Sequence, residues 1–109
     1  MATVSKSDLL TKRFGVHDVE IEGVGTVKVR PLSRAEALTL QGKEMPVEVS
    51  DRKLIAMAMV EPRLTEDEVA QWQDSSPAGE IGQVAVKVLQ LSGMEERATA
   101  KEEYRRFRD

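Results

Sequence analysis

Two short runs of alternating residues limit what this chain can fold into more than any other feature. Val19 and Ile21 alternate with Glu20 and Glu22, and Val27 and Val29 alternate with Lys28 and Arg30. A period of two, with β-branched residues on one side, is the pattern of a half-buried strand. Between the runs, Gly23-Val24-Gly25 supplies glycines able to take the positive φ angles of a tight turn. Pro31 has no N–H for a ladder and ends the second run. The pattern predicts a hairpin over 18–31, with Glu20 or Glu22 facing Lys28 or Arg30 across it. An isolated hairpin is marginally stable, so its Val/Ile face must pack on later segments of the chain.

Those later segments open with a series of helix starts. Ser33-Arg34-Ala35-Glu36 is a capping box, in which serine and glutamate each satisfy an orphan backbone N–H. It predicts a helix from 33 to about 44, before Pro46. Ser50-Asp51 predicts a second helix over 51–60, stopped by Pro62, with Val49 and Leu54 as a hydrophobic staple. Thr65-Glu66-Asp67-Glu68 is another capping box, opening a helix over 66–74 that carries Trp72. Ser76-Pro77 predicts a fourth over 77–92, with Ile81, Val84, Ala85, Val88 and Leu91 as its apolar stripe, widened by Val86 and Leu89. Gly93 is placed to terminate it.

The ends read differently. Residues 1–17 form either a flexible segment or a short helix capped by Ser7. Residues 95–109 are charged and helix-prone, with Ala100, Tyr104 and Phe107 as a thin apolar stripe. The expected fold is α+β: an N-terminal hairpin, a small bundle of about four short helices filling one compact domain over 18–94, and a charged C-terminal helical tail. Aromatic residues are only Phe14, Trp72, Tyr104 and Phe107, so the core must be aliphatic.

Charge and composition exclude several function classes. Nineteen acidic and sixteen basic residues give a net charge of −3, without the basic face that neutralises phosphates, so nucleic-acid binding is not expected. Absence of cysteine removes thiolate catalysis, disulfides and the usual zinc sites. Met1 to Ser7 lacks the apolar centre of a signal peptide, and the longest apolar run, Leu54 to Val60, is far short of the roughly 20 residues of a membrane helix. A soluble cytoplasmic protein is expected. His17 is the only histidine and has no partners for a triad. Glu66-Asp67-Glu68 suits the first turn of a helix better than a metal. Gly23-Val24-Gly25 lacks the Lys-Ser/Thr ending of a phosphate loop. No enzyme activity, cofactor or metal is expected.

The features with binding character are apolar. Met57 and Met59 form either an adaptable partner surface or ordinary core. Trp72 is either an anchor for a partner or a cover for one edge of the core. Tyr104 and Phe107, among charges, suit a segment that folds on a partner. The candidate contact residues are Leu54, Met57, Met59, Trp72, Val88, Leu89, Tyr104 and Phe107.

The order of these features resembles tail assembly chaperones of long-tailed, siphovirus-like bacteriophages. Val19 to Glu36 carries the resemblance first, as acidic strand, glycine turn, Val-rich strand and Leu32-Ser33-Arg34-Ala35-Glu36 helix start. Leu54 to Val60, then Glu61-Pro62-Arg63-Leu64-Thr65-Glu66-Asp67-Glu68-Val69, Trp72, and Leu91-Ser92-Gly93-Met94 before a charged end continue it, over about residues 18–108. The resemblance implies a protein of the host bacterial cytoplasm, absent from the finished virion. It implies binding to the tape-measure protein, which is kept soluble, and recruitment of tail tube protein, in many members through a longer frameshifted form. A homo-oligomer is expected, since hairpin edges are open to pairing. The competing expectation is a small neck or tail-completion protein retained in the particle.

Overall fold

The alternation in the first third of the chain produces the expected hairpin. The structure, a computed structural model, describes residues 3–40 and 44–94. Strands β1 (His17–Ile21) and β2 (Gly25–Val29) pair antiparallel, with Val19 opposite Val27. Gly23 at φ 80° and Gly25 at φ 141° make the turn, closed by the Val24 N–H donating to the Ile21 carbonyl at 3.0 Å. The cross-strand ion pair differs from expectation. Pairing closes at Ile21–Gly25, and that register puts Glu20 opposite Thr26 and Asp18 opposite Lys28. Lys28 Nζ lies 2.9 Å from Asp18 Oδ1, while Arg30 turns away to Glu36.

Before the hairpin, α1 (Lys6–Leu10) is capped by Ser5, not Ser7, through the Asp8 N–H at 3.1 Å. After it, α2 (Arg34–Thr39) opens with the capping box of Ser33 and Glu36. The helix ends at Thr39, short of the expected 44, where the Leu40 N–H tightens the last turn onto Ala37 O. Leu40 is buried, and this last turn delivers it to the core.

The second helix needs the largest correction. Helix α3 (Val47–Ala58) starts four residues before Asp51, with Pro46 as N-cap and Ser50 inside it. The Pro46 carbonyl takes the N–H groups of both Val49 and Ser50 at 3.1 Å, so no serine cap is needed. At the other end Met59 and Val60 leave the helix. They form β3 (Met59–Glu61), which joins β2 through Lys28↔Glu61 and Val29↔Met59, with a register shift between Lys28 and Val29. Pro62 disfavours a helical Glu61, and the open edge of β2 offers the freed backbone a ladder. The sheet thus has three antiparallel strands in the order β1-β2-β3, and the described residues form five helices.

Helix α4 (Glu66–Ser75) carries the expected capping box of Thr65 and Glu68. Ser76 does not cap the next helix; its hydroxyl donates to Trp72 O at 2.8 Å and closes α4. Helix α5 (Ala78–Leu91) has Pro77 as N-cap instead. It ends as expected at Gly93, φ 76°. Met94 N–H bonds Leu89 O at 2.8 Å and Gly93 N–H bonds Gln90 O at 3.1 Å, the paired bonds of a Schellman ending.

One aliphatic core joins these elements. Leu54 and Ile55 of α3, Val69 of α4 and Val84, Val88 and Leu89 of α5 are almost wholly enclosed. Val19, Ile21 and Val29 belong to the same cluster, so the hairpin packs on the helices. Ser92 links the two halves: its Oγ accepts the Leu32 N–H at 2.8 Å and donates to Val88 O at 2.7 Å. The expected tail helix over 95–109 lies outside the described residues.

Candidate partner-binding surface

The candidate contact residues separate by burial. Leu54, Met59, Val88 and Leu89 are 1%, 3%, 0% and 0% exposed, so they build the core and have no face to offer a partner. They lie on strongly apolar runs, where the pattern marks burial but does not say which side chains stop at the surface. Tyr104 and Phe107 lie outside the described residues. Met57 and Trp72 remain, both half-buried against the core.

Trp72 covers an edge of the core. Its indole Nε1 donates to Glu80 Oε2 at 2.6 Å, tying α4 to the first turn of α5. The polar atom of this ring therefore already has a strong partner within the chain.

Met57 opens onto a cleft of about 410 Å³ formed where α2, α3 and α4 meet. Thr39 closes α2, Met45 precedes α3, and Lys53, Ala56 and Met57 line the α3 side. Glu66, in the first turn of α4, completes the lining. Lys53 and Met57 lie one helical turn apart, so charge and thioether share one face of α3. Lys53 Nζ reaches Glu66 Oε1 at 3.3 Å, an exposed pair of little strength that can rearrange around a ligand. Two methionines give the cleft adaptable apolar walls. Met45 is invisible to periodicity because it stands alone before Pro46.

A second, shallower groove of about 380 Å³ runs between β1 and α5 over Val19 and Val86. Gln83 Nε2 reaches Glu20 O at 3.4 Å across it.

Periodicity alone also missed the apolar surface of the N-terminal segment. Val4, Leu9, Leu10 and Val16 are 64%, 62%, 74% and 56% exposed, and α1 has no buried residue. The other large exposed apolar residues are Val24, at the hairpin tip, and Leu38, on α2. Adjacent Leu9 and Leu10 in an otherwise polar segment were the available signal.

Comparison with known protein families, curated proteins and solved structures gives no match.

Among the described residues no three His, Cys, Asp or Glu side chains are grouped to hold a metal ion. No helix among them is long and apolar enough to cross a membrane. Buried side-chain nitrogens and oxygens there all have hydrogen-bond partners. The open features are a cleft of mixed apolar and polar lining and an N-terminal segment that exposes Val4, Leu9, Leu10 and Val16.

Proposed function

We propose that this chain is a tail assembly chaperone of a long-tailed bacteriophage. It binds the tape-measure protein in the host cytoplasm, keeps it soluble, helps recruit tail tube subunits and leaves before the virion is complete. The observation that carries the reading is the cleft at Met45, Ala56 and Met57, which sets methionine side chains beside Thr39, Lys53 and Glu66 on a small, heavily charged domain. A tape measure presents long apolar helical faces, and a holder of such a client needs repeated, modest and adaptable contacts. Methionine walls and a movable ion pair at the rim supply contacts of that kind. The ordered resemblance over about residues 18–108 supports the same reading.

Co-expression with the adjacent tape-measure protein tests it. Soluble tape measure that co-elutes with this chain, and is lost on Met57→Glu, is the expected result. A tape measure that stays insoluble, with nothing co-eluting, would overturn the reading. Mass spectrometry of purified particles separates the competing role, since a neck or tail-completion subunit would be present in them.

A further inference from the structure

We infer that the N-terminal arm of one copy docks into the Met45–Met57 cleft of a second copy, giving a dimer by exchange of arms. Four of the six large exposed apolar residues among those described lie in residues 3–16, an eighth of the chain. Helix α1 buries none of its residues on its own domain. Exposed apolar side chains concentrated in one segment are the kind of surface that an interaction covers.

The arm is built to project. Arg13 Nη1 binds the carbonyls of Asp8, Leu9 and Thr11 at 2.7, 3.0 and 2.8 Å, which fastens the end of α1 to the residues after it. Phe14 then packs under the Arg30 guanidinium, 5.2 Å from its ring centre. The base of the arm is therefore attached to the domain, while Leu9 and Leu10 stand clear of it.

Charge favours a second copy as the acceptor. Residues 3–16 hold Lys6, Lys12 and Arg13 against Asp8, a net charge of +2. Residues 17–94 hold thirteen acidic and eight basic residues, a net charge of −5. The cleft itself carries Lys53 and Glu66, which pair at 3.3 Å, so the attraction for a basic arm comes from the charge of the whole domain. A basic arm carrying two leucines thus meets an acidic domain whose cleft has methionine walls. Reciprocal exchange satisfies both copies through one two-fold interface. The docking requires only this chain, so it stands or falls separately from the chaperone function. If that function also holds, arm and client compete for one cleft.

Because the chain has no cysteine, introduced single cysteines report single contacts. Full-length Leu10→Cys chain is mixed with size-tagged Met57→Cys chain and oxidised; Thr39→Cys serves as a second acceptor position on the cleft. The expected product is the mixed disulfide, formed ahead of either homodimer. Sedimentation should show a dimer that Leu9→Glu with Leu10→Glu weakens by about tenfold or more, on the order of one leucine's burial. Added salt should weaken it too. A wild-type monomer at every concentration would overturn the inference. So would cross-links between like positions only, a dimer indifferent to the leucine changes, or a Leu10→Cys/Met57→Cys chain that closes on itself.

Discussion

Arg30 and Glu36 form a two-pronged ion pair, Nη1 to Oε1 at 2.8 Å and Nη2 to Oε2 at 2.7 Å, joining the end of the hairpin to the first turn of α2. Glu36 Oε1 also accepts the Ser33 N–H at 2.9 Å, so one carboxylate closes a capping box and a tertiary link together. On its other side Arg30 faces the Phe14 ring, bringing the arm into the same small network.

That network predicts the acid sensitivity of the fold. The Arg30 guanidinium, helped by the Ser33 N–H, holds the Glu36 carboxyl down at about 2 from an ordinary 4.5. A depressed folded-state value stabilises the protein above the unfolded value, and the benefit is lost as pH falls from about 4.5 toward 2. Solvent screening reduces the contribution to on the order of 1 kcal/mol. Urea titrations across this window should show wild type losing that amount, while Glu36→Gln is weaker at neutral pH and flatter toward acid.

Arg30→Ala removes both prongs and the ring contact, and should cost about 1–2 kcal/mol in urea unfolding. Its distinguishing effect is on the arm. Hydrogen exchange should rise at residues 13–16, whereas Lys28→Ala, which removes only an exposed pair with Asp18, should leave them unchanged.

Ser92→Ala should be more costly than a small surface change. Leu32 N–H loses its acceptor at 2.8 Å in a partly buried setting, which costs about 1–3 kcal/mol. Ser92→Thr keeps the hydroxyl and should recover part of this if the added methyl fits.

Leu89→Ala and Met57→Ala should separate the core from the surface. Leu89 is fully enclosed, and its truncation should cost about 2–5 kcal/mol. Met57 lines an open cleft, so its truncation should cost about 1 kcal/mol or less while reducing capture of a client. A large stability loss at Met57 would return that residue to the core.

Trp72 is the only tryptophan, so its fluorescence reports the junction of α4 and α5. Glu80→Ala removes the 2.6 Å partner of its indole N–H and should raise acrylamide quenching, with about 1 kcal/mol lost.

Short-range chemistry was legible in the sequence. The hairpin, its glycine turn, the Ser33 and Thr65 capping boxes and the Gly93 ending each depend on residues within a few positions of one another. Their steric and hydrogen-bonding demands are therefore written locally, and a period of two or of 3.6 marks the inward face. The α+β class came from these elements in order.

Tertiary structure decided the rest. Residues 54–60 are dominated by apolar side chains, a pattern that suits a buried helix or a buried strand equally well. Pro62 ends the helix locally, but it is the vacant edge of β2 that makes the segment a strand, and that edge lies about thirty residues earlier in the chain. The same holds for the candidate surface. Leu54, Leu89 and Met57 are all apolar residues on helices, but packing encloses the first two and leaves the third lining a cleft. Burial depends on which elements converge on a side chain, and that geometry arises only when distant segments meet.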